Sequence, residues 1–221
     1  MAVQLQLALD FIELAAALQL LRSTHPFADI IEAGTPALIR YGVEAVRTIK
    51  RSYPEKQVLA DLKIMDAGEG EARMGFEAGA DIVTVMGVAH DETILGAVRA
   101  AAQSGGQIMA DLMSVPSPAR RALELERLGC EILCVHASTD ALQPGEHEFQ
   151  SVKRLRSRTS KARIAVAGGI DLSSAKAACA SGADILVVGS AIVNAKNPRE
   201  AAQTLHQICG GVGAGVSDAF Q

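Results

Sequence analysis

Three features are missing from this chain, and each absence removes a class of function. First, the cysteines do not pair by motif. Cys130, Cys134, Cys179 and Cys209 form no Cys-x-x-Cys, and none stands at zinc-finger spacing from a histidine. A thiol redox motif or a cysteine-bound structural metal is therefore not expected. Second, no apolar run approaches the ~20 residues of a membrane span. The opening "MAVQLQLALDF" also lacks the basic stretch and small-residue cleavage site of a signal peptide, so a cytoplasmic protein with no membrane partner is expected. Third, positive charge is not in excess. Lys and Arg total 21 against 25 Asp and Glu, a formal charge of −4, which offers no general attraction to nucleic acid or anionic membranes.

What remains is a soluble globular composition: 221 residues, 49% hydrophobic and 21% charged. That suffices for a substantial core in one large domain or two small ones. Cys134, in an apolar run near His136, reads as a small core residue, with a reactive thiol as the alternative.

One phrase recurs: "FADIIEAG" (27–34), "GADIVTVMG" (79–87), "GCEILCVHA" (129–137) and "GADILVVGS" (182–190). Each sets an acid before an Ile and an apolar run. The acids, Asp29, Asp81, Glu131 and Asp184, recur about every fifty residues, too long for one βα unit and right for two. Between them lie short apolar stretches bounded by turn residues: "VQLQLALD" (3–10), "QVLADLKI" (57–64), "GQIMADLM" (106–113) and "ARIAVAGG" (162–169). These supply the alternate strands. Segments such as "SPARRALELERLG" (117–129) have helical spacing and a closing glycine. Eight strands alternating with helices imply a (β/α)8 TIM barrel over residues 1–208, followed by a Gly-rich tail over 209–221. A doubly wound open sheet is the alternative, but no Gly-x-Gly-x-x-Gly turn follows the first strand.

Active sites of such barrels stand at the C-terminal ends of the strands. In order, those ends carry Asp10, Glu32, Asp61 with Lys63, Gly87, Asp111, His136, Gly168–Gly169 and Gly189–Ser190. Any one could be a solvated strand end; so many ionisable groups converging on one mouth suggest a site. Asp61 and Lys63 are two apart, so a strand points both inward, roughly 7 Å apart along the chain. Buried there, they must be paired with each other or bound to a metal. Lys63 would supply fixed positive charge to an oxyanion. Glu32 and Asp61, on adjacent strands, suit Mg2+ or Mn2+. Asp10 and Asp111 would orient Lys63 or substrate hydroxyls. His136 is the only histidine at an expected strand end and reads as a general acid or base. The glycines and Ser190 after the seventh and eighth strands would offer backbone N–H groups to a phosphate, or serve only as turns.

These residues resemble the orotidine 5′-monophosphate decarboxylase superfamily, whose mark is Asp-x-Lys-x-x-Asp on the third strand. Here it reads Asp61-Leu-Lys63-Ile-Met-Asp66. Within that superfamily "ADLKIMDAGEGEARMGFEAGADIVTVMGVA" (60–89), "IIEAGTPALIRYGVEAV", "VHASTDAL" and "VAGGI" are most similar to the 3-hexulose-6-phosphate synthases. The resemblance implies aldol condensation of formaldehyde with D-ribulose 5-phosphate to D-arabino-hex-3-ulose 6-phosphate. It implies Mg2+ or Mn2+ on Glu32 and Asp61, catalysis by Lys63 and His136, and a homodimer in which Asp66 enters the partner's site. The related 3-keto-L-gulonate 6-phosphate decarboxylases carry arginines where this chain has Thr139 and Ser190. That decarboxylase and a non-catalytic sugar-phosphate binder are the two alternatives.

Overall fold

The computed structural model describes residues 2–10, 13–138, 140, 146–159 and 161–211. Its centre is eight parallel strands that close in chain order: β1 (Gln4–Leu9), β2 (Ile30–Ala33), β3 (Gln57–Ile64), β4 (Ile82–Met86), β5 (Gln107–Asp111), β6 (Ile132–His136), β7 (Arg163–Ala167) and β8 (Ile185–Val188). β8 pairs back onto β1. The (β/α)8 TIM barrel is therefore present, and the open sheet is excluded because the two edges bond to each other. Closure also leaves no free edge on these eight strands for another chain to pair with.

Helices alternate with the strands: α1 (Leu14–Thr24), α2 (Thr35–Tyr41), α3 (Glu44–Ser52), α4 (Gly68–Glu77), α5 (Asp91–Ser104), α6 (Pro118–Leu128), α7 (Glu146–Arg156), α8 (Ala175–Ala180), α9 (Ser190–Val193) and α10 (Pro198–Gly211). α3 shows why these segments coil. Ala45, Val46 and Ile49 are buried on one face, Glu44 opens the first turn, and Lys50 and Arg51 close the last, which is the amphipathic and macrodipole pattern of a surface helix. α10 runs through Gly211 and buries Cys209; residues 212–221 lie outside the described residues. Among the described residues, no helix is long and apolar enough to cross a membrane.

The recurring phrase has a physical meaning. Its isoleucines, Ile30, Ile82, Ile132 and Ile185, each open an even strand and are fully buried together inside the barrel. They form one layer of four from alternate strands, each contributing roughly 1.5–3 kcal/mol of burial. The acid before each isoleucine ties down the preceding odd strand. Asp29 accepts the Leu5 N–H at 2.8 Å, Asp81 that of Val58 at 2.7 Å, Glu131 that of Ile108 at 3.0 Å and Asp184 that of Ile164 at 2.7 Å. Lys50 also pairs with Asp81 at 2.8 Å, and Arg156 with Asp184. The floor is closed by Arg163, which donates to Gln4 at 2.6 Å and to Gln107 at 2.9 Å.

Candidate active site

Two residues beyond the isoleucines, the inward positions of the even strands are Glu32, Thr84, Cys134 and Val187; one step higher, the odd strands supply Ala8, Asp61, Asp111 and Ala167. The interior thus changes from hydrocarbon to charge over two layers toward the C-terminal mouth. Glu32, Asp61 and Asp111 are all at least nine-tenths buried. Charge so placed must be compensated from within.

Asp61 is compensated on every side. Its Oδ1 accepts from the Thr84 hydroxyl at 2.9 Å, and its Oδ2 from the Thr35 hydroxyl at 2.7 Å and from Lys63 Nζ at 2.5 Å. The 7 Å separation expected for a regular strand does not describe their charged ends. β3 is irregular between Ala60 and Ile64, and Lys63 has φ 48°, so its side chain folds back onto Asp61 instead of standing parallel to it. Ala60 and Leu62 face α4 as alternation predicts, lying against Gly75. Burial alone would lower the Lys63 pKa, but Asp61, followed by Asp111 and Glu32, outweighs it and raises it. Lys63 is a fixed cation.

Asp111 Oδ2 lies 2.7 Å from His136 Nδ1 and 3.7 Å from Lys63 Nζ, while Oδ1 accepts the Met113 N–H at 2.8 Å. Burial would raise this carboxyl, yet the His136 hydrogen bond, the Met113 N–H and Lys63 together hold it below the usual range. An ionised carboxylate can only accept, so Nδ1 is the protonated nitrogen and Nε2 carries the lone pair when the ring is neutral. That is the orientation of a general base.

Glu32 is held differently. It accepts from Gln6 Nε2 at 2.6 Å, and Gln6 Oε1 is buried without a partner among the described residues. Burial, then the Asp61 charge, push Glu32 up to about 8 against the lowering effect of Gln6. A site that makes a carboxyl keep its proton has surplus negative charge, which a divalent cation with oxygen ligands would neutralise. The Glu32 and Asp61 donors therefore fit Mg2+ or Mn2+. Among the described residues, no three or more His, Cys, Asp or Glu side chains are grouped to hold a metal, so further ligands would be water or substrate oxygens. Asp10 stands exposed at the rim; its surroundings and the Asp61 charge raise its pKa. Gly34 makes room for it, since a Cβ there would lie 2.2 Å from Asp10 Oδ1.

Other expected residues fall around this cluster. Cys134 is a core residue: it is buried in the barrel interior, and burial, then Asp111 and Glu32, hold its thiol well above the ordinary range. Gly168 and Gly169 close β7 with φ 99° and 61°. A Cβ on Gly168 would meet Ala137 O at 2.3 Å, so the β7 end lies close against the β6 end. Of these two strand ends, only that of β8 runs directly into a helix, where Gly189 leads into Ser190 and the single turn α9. After β7, Asp171 instead accepts the N–H groups of Ser173 and Ser174, each at 2.9 Å, and α8 begins at Ala175. Asp66 is not in the cluster. It is exposed beyond β3 and lines a cleft of about 720 Å³ with Val88, His90, Asp91 and Arg121 among others. Thr139 lies outside the described residues. Sequence reasoning missed Gln6, Thr35 and Thr84. Thr84 was visible as the lone polar residue of β4, and Gln6 as one of two glutamines, with Gln4, on the same side of the otherwise apolar β1.

The profile of the family described as orotidine 5′-phosphate decarboxylase / HUMPS matches residues 3–205. The chain belongs to that family. Within the orotidine 5′-phosphate decarboxylase / HUMPS family it is similar to a Bacillus subtilis (strain 168) protein named 3-hexulose-6-phosphate synthase, at 37% identity over 206 residues, 93% of this chain and 98% of that one. The solved 3-hexulose-6-phosphate synthase from Salmonella typhimurium matches with TM-score 0.90 and 42% identity over 94% of this chain and 98% of the other. The solved KGPDC from Streptococcus mutans matches with TM-score 0.85 but only 28% identity, over 95% of this chain and 98% of the other.

Proposed function

We propose that this chain is an aldehyde-lyase that condenses formaldehyde with D-ribulose 5-phosphate to give D-arabino-hex-3-ulose 6-phosphate, reversibly. The observation that carries the reading is the Asp111–His136 pair at 2.7 Å with Lys63 3.7 Å from the same carboxylate, a base and a fixed cation at one mouth. The higher identity to proteins named for this activity than to KGPDC supports it.

In this mechanism His136 Nε2 takes a proton from C1 of ribulose 5-phosphate, leaving a 1,2-enediolate. Asp111 stabilises the imidazolium that forms. The Lys63 ammonium faces the developing negative charge. C1 then attacks the formaldehyde carbon, and the new alkoxide takes up the proton held on His136. Glu32 and Asp61 would hold Mg2+ or Mn2+, which when bound supplies further positive charge beside the C2 carbonyl. Gly168, Gly169, Gly189 and Ser190 are the candidates for the phosphate, met by backbone N–H groups. Asp10 would orient substrate hydroxyls. Asp66, which lies outside its own chain's cluster, would serve the partner's site in a homodimer.

The test is formaldehyde consumption with ribulose 5-phosphate, with and without a chelator. Turnover that stops on chelation and returns with Mg2+ or Mn2+ is expected, from a species of dimer mass by light scattering. No turnover, with decarboxylation of 3-keto-L-gulonate 6-phosphate instead, would replace the synthase reading. Binding of ribulose 5-phosphate without any turnover would make the chain a sugar-phosphate binder. Full activity in the chelator would remove the metal, and full activity as a monomer would remove the shared site.

A further inference from the structure

β3 and β4 do not run in step. Leu59 pairs with Ile82 and Ala60 with Val83, but the next pair is Ile64 with Val85. Three residues of β3 (Asp61, Leu62 and Lys63) therefore stand opposite one residue of β4, Thr84. Bulges of this kind redirect side chains next to active sites and take backbone groups out of the ladder. Here Lys63 adopts φ 48°, a conformation that a residue with a side chain keeps only when its surroundings hold it there.

Thr84 is what holds it. The Lys63 N–H donates to Thr84 Oγ1 at 2.9 Å, and the same hydroxyl donates its one hydrogen to Asp61 Oδ1 at 2.9 Å. Thr84 is 3% exposed, so water is poorly placed to replace either bond. Thr35 also holds Asp61, through Oδ2 and the backbone carbonyl, but no bond from it reaches the Lys63 backbone.

We propose that Thr84 is the positioning residue of this site: its hydroxyl couples the left-handed Lys63 backbone to the Asp61 carboxylate and so sets the Lys63 ammonium between Asp61 and Asp111. The inference rests on the function proposed above and adds a residue to it. Without the hydroxyl, the Lys63 N–H loses its acceptor and Asp61 Oδ1 its donor. The bulge then relaxes, and the ammonium leaves the place where negative charge develops.

The experiment compares Thr84→Val, which keeps the branched shape, with Thr84→Ser, which keeps the hydroxyl; Thr84→Ala replaces the valine variant if that fails to fold. Misplacing a catalytic group by about 1 Å costs on the order of 100-fold, so Thr84→Val is expected to lose about that factor in kcat. Its KM for ribulose 5-phosphate should stay within about threefold, and Thr84→Ser should keep kcat within about threefold of the parent. Hydrogen exchange at the Lys63 amide should quicken at least about tenfold in Thr84→Val while β7 amides are unchanged. Near-parental kcat in Thr84→Val, equal impairment in Thr84→Ser, or Lys63 exchange that rises only with that of the whole barrel would each overturn the proposal. If the parent chain does not consume the two substrates, the proposed function falls, and the Lys63 exchange alone decides the role of Thr84. Faster exchange in Thr84→Val that Thr84→Ser restores supports it; unchanged exchange overturns it.

Discussion

Two sets of acids ring this barrel, one at each end of the strands, and they are held in opposite ways. At the N-terminal end Asp29, Asp81, Glu131 and Asp184 each accept a backbone N–H from the neighbouring strand, with Lys50 and Arg156 beside two of them. At the C-terminal end Glu32, Asp61 and Asp111 are buried against one another and against Lys63, His136 and hydroxyls. The residue types match. At the floor each carboxylate has a donor fixed by the fold, so its charge is spent on strand register. At the mouth the donors are mostly side chains, Gln6, Thr35, Thr84, Lys63 and His136, beside one backbone N–H from Met113, and Glu32 is left in surplus, which is the state of a site arranged for a ligand.

The contrast can be broken by substitution. The largest expected effect is at the mouth: Lys63→Ala should lower kcat by at least ~10³ while circular dichroism stays unchanged, since loss of a fixed charge at an oxyanion is a transition-state effect. Near-normal turnover in that variant would end the role given to Lys63. At the floor the effect should be smaller and of another kind. Asp81→Ala strands the Val58 N–H and leaves the Lys50 ammonium only the Lys56 carbonyl, and should cost about 1–3 kcal/mol of stability, read as a fall in Tm. Its kcat per folded molecule should stay near that of the parent; a large loss of kcat would show that the floor acids belong to the site.

The third effect concerns pH. Glu32 moves from its ordinary 4.5 up to about 8, so the folded chain keeps a proton there that the unfolded chain releases. In a chelator, stability should therefore fall as pH rises from about 4.5 to about 8, with the penalty complete above that. Subtracting the Glu32→Gln profile isolates this contribution, and added Mg2+ should remove it. Parallel profiles for parent and variant would show that Glu32 does not carry the surplus charge.

Much of the site was legible because strand alternation is a local property. Asp61 and Lys63 share a side, Glu32 and Asp111 face the same interior, and His136 ends β6, all of which follow from a period of two and from strand limits marked by turn residues. The recurring phrase was legible as a repeat, but its acids and isoleucines acquired their roles only in three dimensions. The isoleucines meet across the barrel, and each acid bonds to a strand well before it in the chain. The distance between Asp61 and Lys63 was not legible, because it depends on a register shift between two strands. The path of the chain after Gly169 was not legible either: the Asp171 carboxylate accepts the Ser173 and Ser174 N–H groups in a turn before α8 begins.

The sequence by itself determined the barrel, the end at which its chemistry stands and the types of group found there, because apolar periodicity and strand-end composition are written residue by residue. The tertiary structure alone decided how those groups are coupled. Whether Lys63 touches Asp61, which nitrogen of His136 is free and whether Glu32 keeps its proton depend on distances of a few ångströms between strands far apart in the chain. Inside a poorly solvated barrel mouth, such distances set the charge on each group.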